Sequence, residues 1–417
     1  MSNLPPRYEG PVIQDFLLTL DAAQQKLGDV LRMPFGKNDL IMVCDPDLAY
    51  DVLVRQNRRF VKLGADGQTP GLQRILGAGL LTNPEYGSWF SHRQLIQPFF
   101  QRSALERFFA SMVGASERLG SSWQEGERVN LTEVMHRVTL ELIYELVFSL
   151  APKDANAYPI QVPLSLASAK TSVVRRAAAH LDESIYALLE KRKKDRLQGR
   201  RFEDLLGLLL DAEDGQGEKM TDKDLRDELL TVFAAGHETT ANTLIWAFIG
   251  LMSNSEAKER LEHELRRCSE PLSLESLKGL PYLSAVVRET LRLYPTIPFA
   301  PRVSLEDTQL GDFFIPKGSR LFVSIYSIHR HGHFWEDPLA FKPERFIIKG
   351  AQKAYMPFGL GERVCLGQHL AMLETQVILA VLLRRWSFEL EQTEFLPKVA
   401  ISLQPKTEVW ASLNSQS

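Results

Sequence analysis

The chain has 417 residues, of which 44% are hydrophobic and 24% charged, the composition of an ordinary globular protein. A net charge of -3 gives no general reason to expect a nucleic-acid partner. Three scattered cysteines, Cys44, Cys268 and Cys365, do not make a disulfide framework, so a reducing compartment is expected. The opening residues MSNLPPRYEG show neither the basic region nor the apolar region of a signal peptide. No apolar run approaches the ~20 residues of a membrane span; the best stretch, Leu230 to Met252, is interrupted by His237, Glu238, Thr239 and Thr240. Together these features predict a cytoplasmic protein without a membrane span. Length alone suggests two or three domains, and a chain of this size buries enough surface to hold a large internal cavity.

Taken in order, the elements begin with strands. Val30–Phe35 and Leu40–Cys44 read as a hairpin about Gly36, Lys37 and Asn38. Asp45-Pro46 ends it, and Leu48 to Val54 starts a helix. Residues 62–86 hold five glycines (Gly64, Gly67, Gly71, Gly77 and Gly79) and read as a long loop, a common place for function. From Trp89 to Leu293 the periodicity is mostly helical, clearest at Leu131–Phe148, Ser184–Lys194, Leu225–Met252, Glu256–Arg267 and Tyr282–Leu293. After Pro295, short apolar runs such as Phe313–Pro316 and Arg320–Ile325 return, then a helix at Gln368–Arg385 and closing strands. No repeat or composition break appears. The fold expected is mainly α with small β-sheets. It is read as a single domain over 1–417, strand-rich at about 28–60 and 296–330, helical at about 89–295 and 366–386.

The densest local signal is Phe358-Gly359-Leu360-Gly361-Glu362-Arg363-Val364-Cys365-Leu366-Gly367. Glycines allow tight turns and close backbone approach. A helical pattern follows at once, so N–H groups at a helix N-terminus are expected to favour a thiolate at Cys365. A bare Gly-x-Gly-x-x-x-Cys reads first as a buried cysteine in a turn. Three further constellations stand beside it. Glu289 and Arg292 lie three apart on one helix face, with Arg345 downstream in Lys342-Pro343-Glu344-Arg345-Phe346. Ala235-Gly236-His237-Glu238-Thr239-Thr240 sits inside a helix that starts at a capping box, Thr221-x-x-Asp224. Glycine and threonine are poor choices there, and threonine hydroxyls distort the ladder, so a locally opened helix is expected. An acid beside an alcohol suits proton delivery. Trp89 and Arg93, one helical turn apart, offer an N–H donor and a cation.

The stretch F-G-x-G-x-R-x-C-x-G matches the haem-binding loop of the cytochrome P450 family at every fixed position, and the other three constellations resemble that family in the right order from Trp89 to Gly367. The resemblance implies a haem-thiolate monooxygenase that binds haem b through Cys365. It implies that Trp89, Arg93, Arg302 and Arg363 anchor the haem propionates. Phe358, Gly359, Gly367 and Ala371 on the cysteine side, with Ala235 and Gly236 on the other, would line the haem. Glu238 and Thr239 would relay protons to dioxygen, and Glu289, Arg292 and Arg345 would form a charge network bracing the cysteine loop. The resemblance is to the soluble bacterial branch, with local similarity to carotenoid hydroxylases at Gly79-Leu80-Leu81-Thr82. The expected substrate is therefore a hydrophobic small molecule, carotenoid, terpenoid or fatty-acid-like. Leu80, Leu81, Phe233, Ala234, Ile297, Pro298, Phe299, Ala300, Ile401 and Leu403 would line its cavity, and Lys62 or Arg74 is a candidate for holding a carboxylate. Two electrons would come from a separate donor, a ferredoxin with its reductase, docking near basic residues such as Arg93 and Arg330.

Other readings stay open. They are a peroxide-driven or isomerising haem-thiolate enzyme and a non-catalytic haem sensor or carrier. His329-Arg330-His331-Gly332-His333 is read as a structural loop rather than a metal site. Lys191 to Lys194, with Arg200 and Arg201, is read as a solvated helix end, and His92 as a surface or partner contact.

Overall fold

The computed structural model describes residues 3–10, 15–35, 38–63, 72–155, 158–160, 171–268, 271–348 and 353–416. Gly36 and Lys37 of the hairpin turn, and Gly64, Gly67 and Gly71 of the glycine-rich loop, lie outside the described residues. The rest fall into two compact units, each drawn from three separate chain segments.

The first unit comprises the described residues within Met1–Gln68, Arg288–Cys365 and Pro397–Gln404. Its frame is a five-stranded sheet in the spatial order Val30–Phe35, Asn38–Val43, Arg320–Ser324, Phe299–Ser304, Phe60–Val61. The first two strands form the expected hairpin, with Val30 opposite Val43. Asn38–Val43 and Arg320–Ser324 run parallel, while the remaining pairs are antiparallel. Side chains alternate between two cores. Ile41 and Val43 join Val52, Phe60, Leu321, Val323, Trp335 and Met356 on one face. Leu40 and Met42 join Leu31, Met33, Leu20 and Ala23 on the other. Burial on both faces explains why these strands read as unbroken apolar runs rather than as a polar–apolar alternation. The helix Phe16–Leu27, capped by Asp15 through the Leu17 and Leu18 N–H groups, supplies Leu20 and Ala23 to the second face. The helix expected from Leu48 begins slightly earlier, with Pro46 in its first turn and Asp45 as its cap, the arrangement a proline lacking an N–H favours.

The second unit comprises the described residues within Thr69–Val287, Leu366–Leu396 and Pro405–Ser417. It is helical, apart from a three-stranded sheet of Arg128–Asn130, Trp410–Ser415 and Trp386–Leu390. The longest helix, Asp222–Met252, starts at the expected capping box. The Thr221 side chain accepts from Asp224 N–H, and Asp224 accepts from Thr221 N–H. The helix Leu131–Phe148 keeps its sequence-predicted bounds and ends at Ser149 in the left-handed region, φ 51°. These two helices touch closely because Gly236 has no side chain. A Cβ there would stand 2.5 Å from Ile143 Cδ1. One turn away, Phe233 packs edge-on to Tyr144 at 4.9 Å. Among the described residues no helix is long and apolar enough to cross a membrane.

The basic run at Lys191–Lys194 is only partly the solvated helix end expected. Arg192 is buried, binds both carboxylate oxygens of Asp204 at 2.6 and 2.7 Å, and stacks on Phe202. A planar guanidinium serves such a bidentate, stacked site where a lysine would not.

Candidate active site

Cys365 lies in a loop of the first unit whose backbone is tightly determined. Gly359 and Gly361 take φ +74° and +73°, a region that costs an L-residue roughly 1–2 kcal/mol. Gly361 is further constrained, since a Cβ would meet the Leu53 carbonyl oxygen at 2.4 Å. The Cys365 N–H donates to Phe358 O at 3.0 Å and the Gly359 N–H donates to Met356 O at 3.0 Å, which closes the loop on itself. Of the three cysteines, Cys44 is buried, Cys268 intermediate and Cys365 exposed. Burial pushes the Cys44 thiol up to about 12, so it stays protonated. The following helix runs Gln368–Arg385, the expected bounds, with Gly367 as its N-cap.

A buried charge network braces this loop. Glu289 sits on the helix Pro281–Leu293 and takes two hydrogen bonds from Arg292, at 2.7 and 2.8 Å. It takes a third from Arg345 Nε at 3.1 Å and a fourth from the Lys342 N–H at 2.8 Å. Glu289 and Arg292 are 0% exposed. Arg292 also donates to the carbonyls of His329, Pro338 and Ala340 at 2.7–3.0 Å. Every strong donor and acceptor is thus used, the condition under which a buried ion pair is tolerated. His329 carries the network onward. Its Nδ1 lies 3.1 Å from Arg292 O, and its Nε2 accepts the Met356 N–H at 2.8 Å. Burial, with Arg292 and Arg330 nearby, pushes its pKa down to about 3, so the ring is neutral and Nε2 is free to accept. Met356 in turn holds Gly359. Within the sequence motif of histidines, His329 is thus a structural residue.

Also in the first unit, three cations gather. Arg302 is nearly buried; burial and Arg363 pull it down to about 10. Lys62 is pulled down to about 7 by burial, Arg302 and Arg363. An anion bound there would relieve this mutual repulsion. Lys62 was a sequence-based candidate for a substrate carboxylate, and the structure sets it with the two arginines expected at haem propionates.

The second unit carries the acid–alcohol pair. Residues 222–252 form one uninterrupted α-helix, not the opened helix expected. The hydroxyls turn back onto it: Thr239 Oγ1 donates to Ala235 O at 2.7 Å, and Thr240 Oγ1 to Gly236 O at 3.0 Å. His237 beside them is pushed down to about 4 by burial and His136, whose ring lies 6.1 Å away, and so is neutral. On the helix Tyr86–Ile96, Trp89 is buried and the Arg93 guanidinium lies 5.6 Å from its ring centroid, one turn on.

Four readings need correction. Arg330 is half-buried, 3.7 Å over the Tyr326 ring and 5.5 Å from Tyr294, with its Nη1 fully buried, so its charge is turned inward rather than presented to a docking partner. His92 is no surface contact: its Nδ1 lies 2.9 Å from Glu228, which is 0% exposed. Phe233 is fully buried against Tyr144 and Phe148. Leu403 is fully buried with Leu17 and Tyr326. Of the other residues expected at the substrate, Ala234 and Pro298 are buried too, Ile297 is exposed, and Leu80, Leu81, Phe299, Ala300 and Ile401 are half-buried.

The sequence matches the cytochrome P450 family over residues 11–160 and 155–410. The chain belongs to the cytochrome P450 family. It is 30% identical over 370 residues to a cytokinin hydroxylase of Arabidopsis thaliana, covering 81% of this chain and 72% of that one. It is 29% identical over 405 residues to a putative cytochrome P450 137 of Mycobacterium tuberculosis, covering 92% and 82%. A cyclooctat-9-en-7-ol 5-monooxygenase of Streptomyces melanosporofaciens is 28% identical over 385 residues, covering 86% and 82%. The crystal structure of the cytochrome P450DA heme domain superposes with a TM-score of 0.87 at 22% identity, covering 100% of this chain and 99% of that one, which shows the shared fold. As a cytochrome P450 the protein is a monooxygenase whose cofactor is haem with a cysteine thiolate as axial ligand. The chain's groups fit that cofactor. An exposed thiol sits on a rigid loop, and the cation cluster of Lys62, Arg302 and Arg363 suits a dianionic macrocycle.

Proposed function

We propose that this cytochrome P450 uses Cys365 as its haem ligand and inserts one oxygen atom of O2 into a hydrophobic small molecule. The observation that carries the assignment is the loop Phe358–Gly367, whose cysteine is the exposed one of three and whose glycines adopt conformations other residues resist. Haem, when bound through a thiolate, supplies the iron that activates dioxygen. The chain's own groups do the rest. Phe358, Gly359, Gly367, Ala371, Ala235 and Gly236 would line the cofactor. Arg302, Arg363 and Lys62 would hold its propionates, and Trp89 with Arg93 would offer a further N–H and cation. Thr239 holds a hydroxyl that accepts a proton from Glu238 and passes one on when it turns from Ala235 O. Neutral His237 adds no competing charge beside that pair. Glu289, Arg292 and Arg345 keep the ligand loop in place.

The substrate is apolar, carotenoid-, terpenoid- or fatty-acid-like. Support comes from the half-buried Leu80, Leu81, Phe299, Ala300 and Ile401, and from relatives named for oxidising cyclooctat-9-en-7-ol and pentalenene. Electrons come from a separate ferredoxin and reductase. The 417 residues act as one functional domain, since each compact unit is assembled from three separated segments and neither is a continuous stretch of chain. The protein works in the cytoplasm, in keeping with three scattered cysteines that make no disulfide framework. The test is reconstitution with ferredoxin, reductase and NAD(P)H over a panel of apolar compounds, preselected by the shift of ferric haem from low to high spin. Oxygenated product from at least one compound is expected. Product formation only with added peroxide would replace this reading by a peroxygenase.

A further inference from the structure

Three consecutive residues of the long helix Asp222–Met252 reach out to a single loop. Arg226 Nη2 donates to Ile75 O at 2.9 Å, Asp227 Oδ2 accepts the Ala78 N–H at 2.8 Å, and Glu228 Oε2 accepts the Leu80 N–H at 3.1 Å. The loop lies backbone-first on the helix. A Cβ on Gly77 would stand 2.1 Å from Asp227 Oδ1, and one on Gly79 would stand 2.2 Å from Thr231 Oγ1 and 2.5 Å from the Asp227 carbonyl oxygen. Thr82 closes the loop by donating to Gly77 O at 2.7 Å, and Asn83 leads into the helix Tyr86–Ile96 by bonding Ser88 Oγ at 3.0 Å. That helix returns His92 to Glu228 Oε1 at 2.9 Å. One fully buried carboxylate therefore ties together the loop, the helix that carries Trp89 and Arg93, and the helix that carries Glu238 and Thr239.

Such a carboxylate is costly unless both oxygens are satisfied. Burial raises the Glu228 pKa, and the His92 ring and the Leu80 N–H pull it back. Burial lowers His92, but Glu228, with Asp224 and Asp227 on the same helix, outweighs it and leaves His92 above its ordinary value. Asp227 is itself held by Arg226 at 2.9 Å and Lys223 at 2.8 Å, and Arg226 by Asp182 at 2.6 Å. Glu228 has no such cation on its own helix; His92 is its counter-group.

We infer that His92 and Glu228 are positioning residues that clasp the segment Gly77–Asn83 to the long helix and so set how tightly the protein holds an apolar ligand beside Leu81. The ligand half of this statement rests on the monooxygenase reading; the clasp itself does not. Holding Leu80 by its amide fixes the backbone that presents Leu81, without placing any charge in contact with an apolar ligand.

The experiment compares wild type with His92→Phe, His92→Gln and the isosteric Glu228→Gln. Amide hydrogen exchange at Ala78 and Leu80 tests the clasp. The spectral dissociation constant of 1-phenylimidazole, an apolar ring with a nitrogen for the iron, tests the ligand half. For His92→Phe, exchange at Leu80 at least tenfold faster is expected, with 1-phenylimidazole bound about fivefold more weakly and haem content and the carbon-monoxide spectrum unchanged. His92→Gln, whose amide can still donate to Glu228, is expected to restore most of both. Glu228→Gln, which keeps the shape and removes the charge, is expected to fall between and supplies the comparison if His92→Phe does not fold. Unchanged exchange at Leu80 in both His92→Phe and Glu228→Gln would overturn the clasp. Faster exchange with unchanged affinity would overturn its role in binding. A wild-type carbon-monoxide spectrum without thiolate character would strike the monooxygenase reading instead, leaving the exchange result to judge the clasp.

Discussion

The cysteine loop and the acid–alcohol helix are held by opposite means. The loop, in the first unit, has almost no regular secondary structure. It is fixed by left-handed glycines, by Gly361 pressed against Leu53 O, and by a chain of contacts from Glu289 and Arg292 through His329 to Met356. The acid–alcohol pair, in the second unit, rides on an unbroken helix of 31 residues, capped at Thr221 and packed through Gly236 and Phe233. A metal ligand has to be placed to a fraction of an ångström, and loops reach that precision only when over-determined. A proton relay has to move, and a threonine that swaps a backbone carbonyl for another partner can do so without disturbing its helix. Substitutions should therefore damage stability in the first region and chemistry in the second.

The largest stability effect is expected at Arg292. Arg292→Ala leaves Glu289 buried with its main partner gone and should cost about 3–5 kcal/mol, measured by denaturant unfolding; Arg345→Ala, at the partly exposed edge, should cost less. A loss at Arg292 below about 1 kcal/mol would mean that the loop is not braced this way. Thr239→Ala should instead leave stability within about 1 kcal/mol, since only one neutral hydrogen bond goes, yet lower product formed per NAD(P)H on the order of 10²-fold, the scale of general acid catalysis. Unchanged coupling would remove Thr239 from the relay.

Glycines sharpen the contrast. Gly359→Ala and Gly361→Ala share a strained φ, worth roughly 1–2 kcal/mol, but only the second meets a backbone oxygen. Thermal unfolding should rank Gly361→Ala as the worse. Gly236→Ala on the helix meets only the tip of Ile143 and gains about 1 kcal/mol of helix propensity, so its net change should be near zero.

A smaller effect belongs to Lys62, a half-buried residue. Its folded pKa, about 7, lies below its unfolded value, so the unfolded chain binds the extra proton. Haem-free protein should therefore gain stability as pH rises from about 7 toward the ordinary lysine range, and Lys62→Met should lose that slope. Haem binding should flatten it too, if propionates neutralise the cluster.

Much of this was legible in the sequence because the signals are local. The cysteine loop is ten consecutive residues, the capping box four, and the helices Leu131–Phe148 and Gln368–Arg385 have clean periodicity and kept their bounds. What stayed illegible depends on partners far along the chain. His92 looked like a surface residue because Glu228 is 136 positions away. Arg330 looked like a docking residue because composition does not show that Tyr294 and Tyr326 cover it. Arg192 hid inside a basic run although Asp204 and Phe202 bury it. Phe233 and Leu403 are apolar, and apolarity alone does not distinguish a cavity wall from a packed core.

The central claim is that Cys365 ligates the haem iron as a thiolate. It is tested most directly by the spectrum of the reduced protein under carbon monoxide, taken for wild type and for Cys365→Ala, Cys44→Ala and Cys268→Ala. The account predicts the far-red Soret band of a thiolate-ligated haem in wild type and in the Cys44 and Cys268 variants, and its disappearance in Cys365→Ala. A Soret band at the ordinary position in wild type, or a far-red band that survives in Cys365→Ala, would contradict it.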